Sequence, residues 1–327
     1  MPRPILLGIV GDSAAGKTTL TRGLVRILGE AQVTHVSADD YHRYDRKQRL
    51  EHGLTPLDPA CNHVDILEQH LAHLRAGECI LKPAYRHNDG TFGPAVYVQP
   101  ARFIIVEGLL GFHTAAMRDV YDVRVFLDPP EDLRRKWKVQ RDCSRRGYTT
   151  DQVLEEIDRR EGDAEAYVRP QRRCADIVVS FMPRDRGDQE HLDARLAMRS
   201  GLVHPDLSPL VDGDANGITL VQRRTEHCLW VPGTISPDRS AEIQETVWDR
   251  MHFASHLRTE RLGEFTVGTE LHRSESLAIT QLLVLYQLVT ARAAVALGGP
   301  GSRADRGPVA VDRALSVAPN VDGWRGT

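Results

Sequence analysis

The sequence is short of the devices that staple a protein from outside. Its five cysteines, Cys61, Cys79, Cys143, Cys174 and Cys228, are scattered through 327 residues, with no C-x-x-C pair and no histidine at metal-ligand spacing. That excludes a disulfide framework and a zinc module, and it fits reduced thiols in a cytoplasmic protein. Long apolar runs are missing too. The opening MPRPILLGIVG has a few apolar residues and no cleavage site behind them, which reads as a buried strand rather than a signal peptide. The longest apolar stretch, 277–297, is broken by Gln281, Gln287 and Arg292, so it predicts a buried amphipathic helix and no membrane span. A net charge of -3 supplies no positive field of the kind non-specific nucleic-acid binders use, so any phosphate chemistry must rest on local clusters. No solenoid repeat is visible.

What is present is an ordinary globular composition, 41% hydrophobic and 27% charged, in a chain long enough for one large α/β domain and a smaller one. Residues 5–10 are an apolar run, 18–28 follow a helical pattern, and 33–36 form a second short run: the opening of a doubly wound parallel sheet. Helical patterns follow at 65–76, stopping at Gly77, and at 131–146 and 151–162. Strand-like runs follow at 103–106, 123–127 and 177–181, the first and last near-continuously apolar as in a buried parallel sheet. Beyond Pro183 the pattern changes to short β-like pieces (LDARLAM, GITLVQ, CLWVPG) and two helices near 241–258 and 274–297. The expected fold is therefore α/β, a mostly parallel sheet flanked by helices in residues 1–185, with a smaller mixed β/α extension over 186–297. The glycine- and proline-rich tail, 298–327, reads as disordered.

The stretch GIVGDSAAGKTTL matches G-x-x-x-x-G-K-[ST] after a strand and before a helix. Gly11, Asp12, Ser13, Ala14, Ala15 and Gly16 would curl backbone N–H groups around phosphates, Lys17 would reach the β and γ phosphates, Thr18 would ligate magnesium, and Thr19 follows in the first helical turn. A glycine-rich turn with a chance lysine is the bland alternative. The second strand runs into SADDYHRYDR, where Asp39 and Asp40 fall at the carboxyl end of the strand that faces the ligand crevice. A carboxylate there can take the proton of an attacking hydroxyl, and His42, Arg43 and Arg46 supply donors for an anionic acceptor. A capped turn followed by a solvated loop would carry the same letters. Glu107, directly after FIIV, stands where a magnesium-organising acid belongs. On the helix after Glu131, Arg134, Lys138, Arg141 and Arg145 share one face around Asp142, either a solvated or nucleic-acid-facing stripe or a lid that clamps a triphosphate. Tyr85, Arg86 and His87 lie in KPAYRHNDG, which is also plain hairpin chemistry, and Asp65 after LTPLDPACNH is a helix cap.

GDSAAGKT, DDYHRYDRKQR with GLTPLDPACNHVD, KPAYRH, VEGLLG, and KWKVQRDCSRRGY with AYVRPQRRCADIVV resemble, in this order, the phosphoribulokinase and uridine kinase family of P-loop kinases, the phosphoribulokinase branch above all. LGEFTVGTELHRSESLAITQLL is similar to the C-terminal part of that branch. The resemblance implies Asp39 as general base, Lys17 and the loop as the ATP site, and Thr18, Glu107 and Asp39 as the Mg2+ site. It implies Asp40, Tyr41, His42, Arg46, Arg49, Tyr85 and His87 along the acceptor, with Lys138, Arg141, Asp142 and Arg146 at the lid, Arg141 and Arg146 also facing ATP. The reaction implied is phosphorylation of ribulose 5-phosphate at O1, in a homodimer that needs neither nucleic acid nor membrane. Plant-type members carry regulatory cysteines where this chain has Ala15 and Ser37, so thiol control is not expected. A uridine kinase-like nucleoside kinase, a kinase for another pentose or pentose phosphate, and a non-catalytic nucleotide-binding regulator are the other readings left open.

Overall fold

The computed structural model describes residues 2–184, 191–199, 205–212, 217–251 and 257–299, with the Arg145 side chain also outside the described set. The tail expected to be disordered falls, from residue 300 on, outside it as well.

The strands are β1 (Ile5–Gly11), β2 (Val33–Ser37), β3 (Ile80–Arg86), β4 (Thr91–Val98), β5 (Phe103–Gly108), β6 (Val123–Leu127), β7 (Ile177–Pro183), β8 (Leu192–Arg199), β9 (Thr219–Gln222), β10 (Glu226–Val231), β11 (Glu264–Val267) and β12 (Glu270–Arg273). The helices are α1 (Lys17–Leu28), α2 (Arg46–Glu51), α3 (Val64–Ala76), α4 (Ala115–Val120), α5 (Glu131–Arg146), α6 (Thr150–Asp163), α7 (Pro237–Trp248) and α8 (Glu275–Ala296). One eight-stranded sheet runs β2-β5-β1-β6-β7-β8-β10-β9. Its first five strands are mutually parallel, and β8, β10 and β9 continue it antiparallel. This is the doubly wound, mostly parallel sheet the periodicity predicts. The three β-like pieces beyond Pro183 become β8, β9 and β10, and β8 pairs with β7 from Ile177 opposite Met198 to Pro183 opposite Leu192. β3 and β4 form a separate hairpin beside the sheet.

β1 is buried on both faces, as a central parallel strand must be. Ile5, Leu7 and Ile9 face a core shared with α1, α7 and α8, whereas Leu6 and Val10 face one shared with α3 and α4. The helix expected to be amphipathic near 274–297 is not: α8 is buried on every side through most of its length, including Thr280 and Gln281, because sheet, α1 and α7 surround it. Its contact with α1 is tight. A Cβ added at Gly23 would lie 2.1 Å from Gln281 Nε2, and Gln281 Oε1 is pinned by the Gly263 N–H at 2.7 Å. Gly23→Ala therefore gains about 1 kcal/mol of helix propensity and incurs about 1–3 kcal/mol of overpacking. We expect a lower urea midpoint at unchanged m-value, relieved when Gln281 is shortened to alanine in the same chain.

Candidate active site

β1 ends at Gly11 and α1 begins at Lys17, so the intervening loop wraps the N-terminus of a helix. The turn needs left-handed backbone at Gly16 (φ 95°, ψ 8°) and takes it also at Ala14 (φ 64°). Lys17 Nζ donates to the carbonyls of Gly11 (2.9 Å) and Asp12 (2.8 Å). Burial pulls the lysine pKa down, and Asp39, Glu107 and Asp12, in that order, oppose the shift. Asp12 Oδ1 accepts from Ser13 N–H at 2.6 Å. Ala15 is buried beneath the loop, and Thr18 and Thr19 are exposed on the first turn of the helix.

Glu107 ends β5, beside β1, and its carboxylate collects three contacts. Thr18 Oγ1 donates to Oε1 at 3.3 Å, Thr21 Oγ1 donates to Oε2 at 3.0 Å, and His35 Nε2 lies 3.3 Å from Oε1. Burial pushes the Glu107 pKa up, but His35, Lys17 and Thr21 together outweigh it and hold the group below the usual carboxylate range. The next residue must be small: a Cβ on Gly108 would meet the Ala38 Cβ at 2.5 Å. This close approach sets the 3-10 turn Ala38–Tyr41, which follows β2, against the tip of β5.

The turn separates its two aspartates. Asp40 is engaged, with Lys82 Nζ paired to Oδ2 and Tyr85 N–H donating to Oδ1 at 2.9 Å. Among the described residues nothing donates a hydrogen bond to Asp39, which is half-buried. Asp39 is nonetheless the leading charge acting on Lys17 on the loop side and on His42 and His87 on the other. Tyr41 turns inward, fully buried, with its hydroxyl 2.9 Å from His70 Nδ1. His42 is buried with Nδ1 2.7 Å from Asn62 Oδ1. Burial lowers its pKa to about 4 against the pull of Asp39, so it is neutral at pH 7.

Beyond these residues the hairpin forms a wall. Arg49, buried, donates to Tyr85 Oη at 2.6 Å and to the Tyr44 carbonyl at 3.0 Å. Tyr85 meets His42 and His87 edge-on, at 4.8 and 5.1 Å between ring centres. Arg46 donates to the His87 carbonyl at 2.6 Å. Burial lowers the His87 pKa, with Asp39 opposing and Arg146 adding to the shift, so α5 reaches this wall electrostatically.

α5 closes the opposite side. Arg134 donates to the Ser13 carbonyl at 3.1 Å, and Arg141 reaches Ser13 Oγ at 3.3 Å, so the helix holds the loop at two points. Lys138 and Asp142 are both buried and bonded to each other at 2.9 Å. Arg141 (2.8 Å) and Arg146 (3.3 Å) converge on the same carboxylate. The one-face stripe is thus divided: Arg134 and Lys138 face inward, Arg141 stays part-exposed, and the Arg145 side chain lies outside the described set; Arg146 beside it is exposed. Burial works to raise the Asp142 pKa, but the hydrogen bonds and charges of Arg141 and Lys138 hold it at about 2. A depressed carboxyl pKa contributes stability above its unfolded value near 4 that is lost as pH falls towards 2. An acid titration followed by near-UV circular dichroism is therefore expected to show loss of packing in that window, a component absent from Asp142→Asn, which lacks this stabilisation at every pH.

His35 and Thr21 escaped sequence reading. Thr21 was findable, one turn beyond Thr18 on the helix that starts at the loop; His35 was not, because its role depends on which strand neighbours Glu107.

Loop, sheet and the two carboxylate-bearing strand ends define a P-loop kinase fold. The chain belongs to the phosphoribulokinase / uridine kinase family, whose model matches residues 6–186, more than half of its length. It is 35% identical over 205 residues to a phosphoribulokinase of Synechocystis sp., covering 62% of each chain. It is 30% identical over 194 residues to a uridine kinase of Oceanobacillus iheyensis, covering 58% of this chain and 90% of that one. The chain thus spans 62% of the length of the first relative and about half to three fifths of the plant phosphoribulokinases it matches. A phosphoribulokinase structure from Rhodobacter spheroides shares the fold, with a TM-score of 0.56 at 19% identity over 76% of this chain and 97% of that chain.

Proposed function

We propose that the chain is an ATP-dependent kinase that transfers the γ-phosphoryl group to a hydroxyl of a pentose phosphate, ribulose 5-phosphate foremost, to give ribulose 1,5-bisphosphate. The observation that carries the reading is Asp39: a carboxylate without a hydrogen-bond partner among the described residues, acting on the loop lysine from one side and on His42 and His87 from the other. As general base it takes the proton of the acceptor hydroxyl as the oxygen attacks the γ-phosphorus. Lys17 and the loop N–H groups hold the nucleotide phosphates. Arg141 and Arg146 offset charge on the transferring group. Arg46, Arg49, Tyr85 and His87 present cations and donors to an anionic acceptor, with neutral His42 behind them. Asp40, Tyr41, Lys138 and Asp142 hold this arrangement from within.

The donor set also fits Mg2+. Thr18 and Glu107 offer oxygens from a hydroxyl and a carboxylate held together, and Asp39, like Glu107, acts on the charge of Lys17. Mg2+ takes one or two carboxylates and completes its shell with phosphate oxygens and water, and when bound it would neutralise phosphate charge. Homodimeric assembly is part of the proposal and is checked by light scattering.

The test is ATP-dependent ADP release with a panel of pentose phosphates, pentoses, uridine and cytidine. We expect kcat/KM for ribulose 5-phosphate at least about 100-fold above uridine, since a site built for a phosphate leaves its cations unpaired with an acceptor that lacks one. The uridine kinase match over 90% of that relative favours the second reading, and uridine as best acceptor would establish it. Release with none of them leaves a nucleotide-binding regulator.

A further inference from the structure

We infer that His35 is a positioning residue for the phosphoryl-donor site: its imidazole fixes the orientation of the Glu107 carboxylate so that a metal–nucleotide complex meets one oxygen of it in one geometry. The inference rests on Glu107 organising Mg2+, as proposed above.

His35 reaches the site from the edge of the sheet. β2 and β5 are parallel, with Ser37 opposite Glu107 and His35 opposite Ile105. Side chains two residues apart on a strand share a face, so His35 projects on the face from which Glu107 points towards α1. The carboxylate is then addressed from two sides. α1 supplies Thr18 to Oε1 and Thr21 to Oε2, and β2 supplies His35 Nε2, 3.3 Å from Oε1. A glutamate has three rotatable side-chain bonds, and two hydroxyls from a single helix leave its carboxylate free to tilt about the line joining them. A contact from the opposite side removes that freedom. Thr21 holds Oε2 inside the fold, and Thr18 and His35 both reach Oε1, so it is the Oε1 side, next to exposed Thr18, whose bearing towards the nucleotide His35 fixes.

The His35 side chain is 42% exposed, so it fills no core, and its one ion-pair contact among the described residues is Glu107. Glu107 Oε1 accepts from His35 when the ring carries a proton on Nε2, and the hydrogen bond is then made to a carboxylate. Residues that orient a metal-binding group are worth about 10–100-fold in metal affinity.

The experiment is calorimetric titration with a non-hydrolysable imido analogue of ATP, with and without Mg2+. The proteins are the native chain, His35→Ala, His35→Gln, Glu107→Gln and the His35→Ala/Glu107→Gln double variant, with thermal midpoints measured alongside. Native protein gains affinity when Mg2+ is added. We expect His35→Ala to lose about 10–100-fold of that gain, with metal-free affinity and midpoint unchanged. His35→Gln, whose amide reaches the place of Nε2, restores most of it. The double variant matches Glu107→Gln alone. A Mg2+-dependent gain in His35→Ala equal to native, with Glu107→Gln losing it, overturns the inference and leaves the role of Glu107 standing. A His35→Ala effect that persists in full in the Glu107→Gln background also overturns it, since the action then bypasses Glu107. A native-like gain in Glu107→Gln removes the proposed role of Glu107, and the inference falls with it.

Discussion

Asp39→Asn is expected to lower kcat by about 10²–10⁴-fold while the affinity for ATP and the thermal midpoint stay close to native. Asparagine keeps the shape of the side chain and gives up its negative charge and its ability to take a proton. No hydrogen bond within the described residues depends on the carboxylate, so folding has little reason to register the change. Its neighbour provides the contrast. Asp40 is paired with Lys82 and accepts from Tyr85 N–H, so Asp40→Asn should lower the midpoint by weakening a half-buried ion pair, with turnover falling secondarily. Steady-state kinetics on the two variants, read beside their melting curves, separates a base from a brace. Turnover within a factor of three of native in Asp39→Asn would remove the proton-transfer role and the proposed reaction with it.

The largest expected effect on stability is at Asp142. Its carboxylate is the shared acceptor of Lys138, Arg141 and Arg146, and Lys138 is 2% exposed. Alanine there takes from the buried Lys138 ammonium its hydrogen-bond acceptor and leaves Glu156, at 3.9 Å, as the nearest counter-charge; breaking a buried pair from one side costs about 3–5 kcal/mol. Lys138 already has its pKa lowered by burial, so part of the loss is recovered by shedding the proton. The expected signature is a drop in urea midpoint that becomes smaller as pH is raised. Replacing Lys138 by methionine in the same chain should recover most of the stability. Arg141, released from Asp142, also loses its bearing on Ser13, so KM for ATP should rise in the single variant. A stability change under about 1 kcal/mol would show that the pair is solvated in solution.

The elements that position the site were legible because each carries a local signal. A glycine at left-handed φ before Lys17, four apolar residues before Glu107 and a strand running into Asp39 are patterns a few residues long. What was not legible depends on neighbours in space. Asp39 and Asp40 are adjacent letters with different fates, decided by a lysine 42 positions further on. The cationic face of α5 reads as one stripe, yet packing against α6 and the loop buries Arg134 and Lys138 and leaves Arg141 part-exposed. α8 reads as amphipathic from Gln281 and Gln287, but both are buried, and only the fold shows that Gln281 Oε1 satisfies a backbone N–H at Gly263. The pieces beyond Pro183 were recognisable as β structure; their partner strand was not, since pairing is a long-range choice.

That pairing has a consequence for the integrity of the molecule. The family model stops at residue 186, just past β7, and β8 then occupies the whole flank of β7. A chain ending there would carry a raw, flat, apolar border open to any other strand, the usual starting point of aggregation. β8 therefore works as a stopper along that border. The strand that carries the glycine loop and the strands that cover β7 are parts of a single continuous hydrogen-bonded ribbon.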